Sequence, residues 1–276
     1  MGRPMNPRTE IRFDFLPIAL FAITLLMAAA PAALGQLAIS SEIAAGGKLR
    51  AALISGNPVL VTKKPDGSIG GGVSVELGRF IAEKLGVTFE PLFYADPELY
   101  TRSFGKGEWD IAIGPRRASE AEIVDFSPDF MLVENIFVAA PGRSFVDAGD
   151  VDRPGIRVAV IRDGSPDKFL TQTFKSAQLV RVASGQVAAI EALRSGTADV
   201  FGSNAQNVHE VADGLPGSNI VSGAFNTVPM AVALPKGRSS AAHVGLADIV
   251  KEAKAAGLVK KAIEEARVKG TRVAPD

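Results

Sequence analysis

Residues 73–94 read VSVELGRFIAEKLGVTFEPLFY. Val73, Leu77, Phe80, Ile81 and Leu85 recur at helical spacing, which predicts a helix with one apolar face. Gly86 follows where a helix end favours a left-handed residue. VTFEPLFY (87–94) then reads as a strand. Upstream, LRAALI (49–54) is a short apolar strand candidate, and Pro65-Asp66-Gly67 is a turn signal before the helix. Strand, helix, strand is the unit from which parallel sheets are built.

The alternation continues in both directions of reading. A short helix is expected from about Pro97 to Phe104, a strand at IAIG (111–114), and a short helix or turn at SEAEIVD. MLVENIFVAA (131–140) is a longer extended run. A second series starts after a Gly/Pro-containing stretch. IRVAVI (156–161) is a strand, and a helix opens near Ser165-Pro166, with proline in its first turn. LVRV (179–182) is a strand, Ser184 stands as a cap for GQVAAIEALRSG, and ADVFGS (198–203) is a strand before a helical NAQNVHEVADG. NTVPMAVALPKG (226–237) is again extended, and the tail is helix-rich. Two such series imply an α/β protein of two lobes, each a mostly parallel sheet flanked by helices. FVAAPGRS (137–144) and VALPKGRS (232–239) are the expected crossovers, and two thin crossovers make a hinge beside a cleft.

Composition narrows the function. The chain has 276 residues, 47% of them hydrophobic, enough for a substantial core. Thirty basic residues balance 30 acidic ones, so there is no basic footprint for nucleic acid. Without cysteine there is no disulfide, thiol nucleophile or thiolate metal site. His209 and His243 lie in helical sequence without metal-ligand spacing, so neither a metal nor a cofactor is expected. At the N-terminus Arg3, Arg8 and Arg12 precede the uncharged FLPIALFAITLLMAAAPAALG. This reads as a secretory signal over residues 1–35, with cleavage after Gly35; an uncleaved membrane anchor is the minor alternative.

Several pieces, in order, resemble a known family. They are GKLRAAL (47–53), GGGVSVELGRFIAEKLGVTFE (70–90), GKGEWDIAIG (105–114) and IVDFSPDF (123–130), then VDRPGIRVAVIRDGSPDKFL (151–170), IEALRSGTADVFGSN (190–204) and LPKGR (234–238). The chain is similar to periplasmic solute-binding proteins of ABC importers, of the polar-amino-acid-binding (family 3) type. The resemblance spans residues 46–270. It implies the two-lobed type II binding-protein fold, with lobe 1 from residues 36–140, lobe 2 from 141–231, and 232–276 returning mainly to lobe 1. It also implies a monomer in the periplasm that closes on one small solute and presents it to an inner-membrane permease. An enzyme of the cyclohexadienyl dehydratase kind, with Glu120 as general acid, is an alternative, as is a ligand-sensing partner of a receptor.

The resemblance breaks at the family's amino-acid grips. Its carboxylate-binding arginine falls at or beside Glu120, whereas the arginines here are Arg116 and Arg117. The aspartate that pairs with the ligand's ammonium is Asn204, and the first acidic position before the first helix is Ser74. Proline follows both Gly114 and Ser165, and each proline removes a backbone donor. The candidate ligand residues are therefore Asn57, Ser74, Gly114, Arg116, Arg117, Glu120, Ser165 and Asn204. Each has a plainer role available. Adjacent arginines point to opposite sides, so one of the two is a surface residue. Ser165 and Asn204 could cap helices, Asn57 precedes a proline in a turn, and Glu120 suits the acidic first turn of a short helix. Losing the ammonium's partner implies a small organic anion or a polar neutral solute; arginine on a carboxylate with Glu120 on an amine is the competing arrangement.

Overall fold

The computed structural model describes residues 1–2, 38–183 and 185–275. The rest of the expected signal segment and the expected cap Ser184 lie outside the described residues. In chain order the first half comprises β1 (Lys48–Ile54), β2 (Thr62–Lys63), β3 (Ile69–Gly71), α1 (Val73–Leu85), β4 (Thr88–Tyr94), α2 (Pro97–Arg102), β5 (Ile111–Pro115), β6 (Val124–Phe126) and β7 (Met131–Ala139). The second series is β8 (Arg157–Ile161), α3 (Ser165–Thr173), β9 (Gln178–Val182), α4 (Gln186–Arg194), β10 (Val200–Asn204), α5 (Ala205–Gly214) and β11 (Asn219–Ile220). The chain then returns through β12 (Asn226–Pro235), α6 (Ser240–Ala255), α7 (Leu258–Ala266) and β13 (Thr271–Val273).

The spacing read in 73–94 produces the structure it predicts. Leu77, Ile81 and Leu85 of α1 are buried, and Gly86 ends the helix at φ 68°. Val124 and Asp125, expected in a helix or turn, instead form β6 along β12, because only a single 3-10 turn at Ala118–Glu120 intervenes. β1 pairs in parallel with β4 and β5, and β8 with β9 and β10. The long strands β7 and β12 run antiparallel to each other and join both parallel sets into one curled sheet, in the order β4-β1-β5-β12-β7-β10-β8-β9.

Two lobes follow from where the apolar side chains go. Leu49, Leu53, Leu77, Ile111, Val232 and Leu246 belong to one core, to which Val133 and Val228 also contribute. In the second lobe successive strand residues face opposite ways, so Phe137 and Val138 enter separate layers on the two faces of the sheet. The passage between lobes therefore falls between Val133 and Phe137 on β7, and between Phe225 and Val228 on β12. That is earlier than the expected crossovers at 137–144 and 232–239. The reason is continuous pairing: Asn135 faces Asn226 across the ladder, so no turn residue marks the passage. β13 adds to it, pairing Thr271 with Val133 and Val273 with Met131.

One device recurs in each lobe. Asp110, just before β5, accepts from the backbone N and the guanidinium of Arg50 at 2.8, 3.2 and 2.7 Å. Asp199, just before β10, accepts from the same atoms of Arg157 at 2.9, 3.1 and 2.9 Å. Each clasp fixes the entry of an inner strand whose far end reaches the cleft. Trp109 packs as expected, its ring edge-on to Phe104 and its Nε1 donating to Ser103 Oγ at 2.9 Å.

Candidate functional site

β5 carries the chain to Pro115, and the next two residues diverge. The backbone N of Arg116 donates to Pro229 O at 2.8 Å. Its side chain folds against lobe 1, with Nε on Asp129 at 2.7 Å, Nη2 on Ser127 O, and the guanidinium 5.2 Å from the centre of the Phe126 ring. Arg117 turns inward and is 8% exposed. Its Nη1 donates to Glu120 Oε1 at 3.1 Å and to Thr101 Oγ1 at 2.8 Å. Its Nε is buried with no partner, and Nη2 donates to no group among the described residues.

Glu120 lies beneath this guanidinium, 3% exposed, its Oε2 buried and unpaired. It is not among the residues that line the cleft. Gly114, expected to offer a backbone donor, is needed for packing instead. A Cβ there would stand 2.8 Å from the Tyr100 hydroxyl. Burial of that phenol pushes its pKa well up, opposed by Arg117 and reinforced by Glu120. Ser74 is fully buried on α1 with its hydroxyl unpaired, and it too is absent from the cleft. In each of these three cases the first lobe's core claims the residue.

The opposite wall is the start of α3. Its N-cap is Gly164, not Ser165, which is the first helical residue. Asp163 before it adopts φ 58°, an uncommon conformation for a residue with a side chain. Its backbone N donates to Asp167 Oδ2 at 2.9 Å. Asp167 also receives Arg181 Nε at 3.1 Å and Thr171 Oγ1 at 3.2 Å. One turn along, Lys168 is half-buried, and its Nζ makes no hydrogen bond or ion pair among the described residues. Burial pushes its pKa down, and so does Arg117, against pulls from Glu120, Asp163 and Asp167. Asn204 caps α5, its Oδ1 accepting from Asn207 N at 2.9 Å, and Asn57 Oδ1 accepts from Val59 N at 3.1 Å.

Two spaces with shared lining residues lie along these walls. A narrow one of about 50 Å³ has an apolar floor, including Ile54, Pro115, Ile161 and Met230, and is rimmed by Asn57, Asn135, Ser203, Asn204 and Asn207. A wider chamber of about 600 Å³ carries the charges, Arg116, Asp163, Asp167, Lys168 and Arg181. Arg117 and Ser165 line both. Of the eight expected residues the structure brings five to the cleft: Asn57, Arg116, Arg117, Ser165 and Asn204. Lys168, Asn135 and Asn207 were not anticipated. Lys168 does carry a signal, since it stands in the first turn of a helix, where the dipole disfavours a cation. Among the described residues no cluster of three or more His, Cys, Asp or Glu could hold a metal ion, and no helix is long and apolar enough to cross a membrane.

No protein-family model matches the sequence, and no curated protein matches it. Solved structures do match. A mutant of ArgBP from T. maritima superposes with a TM-score of 0.69 at 21% identity, over 83% of this chain and 99% of that one. A solute receptor for L-cysteine from Neisseria gonorrhoeae gives 0.69 at 19% identity, over 87% and 99%. An amino acid ABC transporter substrate-binding protein from Streptococcus pneumoniae, bound to L-arginine, gives 0.68 at 20% identity, over 83% and 97%. The chain has the two-lobed type II periplasmic binding-protein fold that these structures share.

Proposed function

We propose that this protein binds a small solute with an anionic group between its lobes, and delivers it to the permease of an ABC importer. The observation that carries this reading is Arg117. It is a nearly buried guanidinium whose Nε and Nη2 are unused, lining both parts of the cleft. An unpaired buried donor is costly, and a planar oxyanion satisfies two such N–H groups together. The fold supports the mechanism: a ligand touching both lobes favours the closed form about β7 and β12. In this reading residues 1–35 are an export signal, and the protein acts in the periplasm as a monomer without a cofactor. Lobe 1 takes the chain up to Val133 on β7 and again from Val228 on β12, and lobe 2 takes the stretch from Ile136 to Phe225.

Binding is non-catalytic in this account. Glu120, the general acid of the alternative enzyme reading, sits behind Arg117 with no path to the cleft. Thermal unfolding in the presence of succinate, pyruvate, citrate, L-arginine and L-cysteine tests the proposal. At a hundredfold excess over Kd a true ligand stabilises by about 2.7 kcal/mol, which for a chain of this size is a rise of roughly 5–10 °C. We expect that rise with an organic acid. A rise with the amino acids alone would replace the organic acid by an amino acid as the solute, and no rise with any of the five would remove the solute-binding role.

A further inference from the structure

The charges of the wider chamber are not equally engaged. Arg116 is matched by Asp129, and Arg181 by Asp167 and Thr171. Arg117 is matched on one nitrogen only. Lys168 Nζ makes no hydrogen bond or ion pair among the described residues, although Glu120, Asp163 and Asp167 pull on it. Asp163 is the remaining acidic residue of the lining, and its carboxylate forms no ion pair within reach of Lys168 among the described residues. Unused donors stand on both walls of the chamber, and the Asp163 carboxylate is an acceptor of the same lining that pulls on Lys168 without a hydrogen bond among the described residues. Arg117, with Nη2 unused, Lys168, with Nζ unused, and Ser165 line one space, from both lobes.

Of the carboxylates in the lining, Asp167 is engaged by Arg181 and Thr171, and Asp163 pulls on Lys168 but accepts no hydrogen bond among the described residues. Asn204 and Asn57 already accept backbone N–H groups, and Glu120 is covered by Arg117. The two cations with donors to spare belong to different lobes, Arg117, held on one nitrogen by Glu120, to the loop after β5 and Lys168 to α3. In the empty cleft they repel, and burial sharpens that repulsion because the local dielectric is low.

We infer that Lys168 and Arg117 form a clamp for a carboxylate lacking a neighbouring ammonium, whose charge cancels the repulsion between them and draws the lobes together. The inference rests on the solute-binding reading above and deepens it by naming the ligand class and the residue that selects it. Lys168 is then a specificity-determining residue: a solute that brings its own ammonium places a third cation in the same space. Succinate and L-aspartate are a matched pair for this purpose, since they differ by one ammonium, and pyruvate carries a keto oxygen where L-alanine carries its ammonium.

Calorimetric titration of the full protein with these four compounds, in the wild type, Lys168→Met and Lys168→Arg, tests the clamp. We expect at least one of succinate and pyruvate to bind about tenfold or more tighter than its amino counterpart. Lys168→Met loses about tenfold or more of that affinity, whereas Lys168→Arg, which keeps the charge, stays within about threefold. The empty Lys168→Met protein unfolds at the same temperature as the wild type or higher, because a repulsion has gone. Equal binding of acid and amino acid overturns the ligand class, and an unchanged affinity in Lys168→Met overturns the clamp. If wild type takes L-arginine or L-cysteine but neither organic acid, this inference fails and solute binding stands. If nothing binds, both fail.

Discussion

Arg117 and Glu120 show how two charges can share a small volume at a cost. Both are under a tenth exposed, and their single contact at 3.1 Å leaves Glu120 Oε2 and Arg117 Nε unused. Breaking such a pair on one side strands the other charge. Arg117→Met is expected to cost about 3–5 kcal/mol in urea unfolding, and adding Glu120→Leu should recover most of it. A double variant as unstable as the single one would refute the coupling. Lys168 gives a pH test. Its folded pKa lies below its ordinary 10.5, so within that window the folded state holds fewer protons than the unfolded chain. Stability of the empty protein therefore rises as pH climbs toward 10.5, while affinity for an oxyanion falls over the same range as the ammonium is lost. The sequence placed Arg116, Arg117 and Glu120 on the cleft wall but did not say which faced inward. That depends on the twist of two residues at the end of β5, and on Tyr100 occupying the space beside Gly114.

At the scale of elements, glycine and asparagine positions decide the local geometry. Asn204 closes the first turn of α5, so Asn204→Ala should cost about 1 kcal/mol without any ligand present. If stability is unchanged and only binding suffers, its role is contact and not capping. Gly114→Ala forces a methyl to within 2.8 Å of the Tyr100 hydroxyl and should cost about 1–3 kcal/mol, read by the same unfolding curves. The clasp at the entry to β10 titrates. Burial raises the Asp199 pKa, but the hydrogen bonds from Arg157 outweigh it and hold the group below its ordinary 3.8. Its contribution is present above pH 3.8 and is lost as pH falls through the folded value. Asp199→Asn should flatten the acid limb of the stability profile. The periodicity of 73–94 was enough to read α1 and β4 from sequence. Ser165 was harder, because a serine before proline looks like a cap until the backbone shows Gly164 in that place.

For the whole molecule, the alternation of strands and helices was legible, and so was the pairing of two lobes. The hinge position was not, since β7 and β12 remain paired through it and each is apolar on both sides of the passage. The order in which the chain visits the lobes has a further consequence, in time. The second lobe's core is drawn from one contiguous stretch, Ile136 to Phe225. The first lobe's core needs both Leu49–Val133 and Val228–Val273. A chain emerging from its N-terminus can complete the second lobe while the first still lacks β12, α6 and α7. Local contacts form fast and distant ones slowly, so the second lobe should fold first. Pulse-labelled hydrogen exchange during refolding would then show amides of β8 and β10 protected before those of β1 and β5. A ribosome-stalled chain ending at residue 225 should already protect the former. The cleft, which needs β5 and β12 on one wall, would be the last part of the molecule to exist.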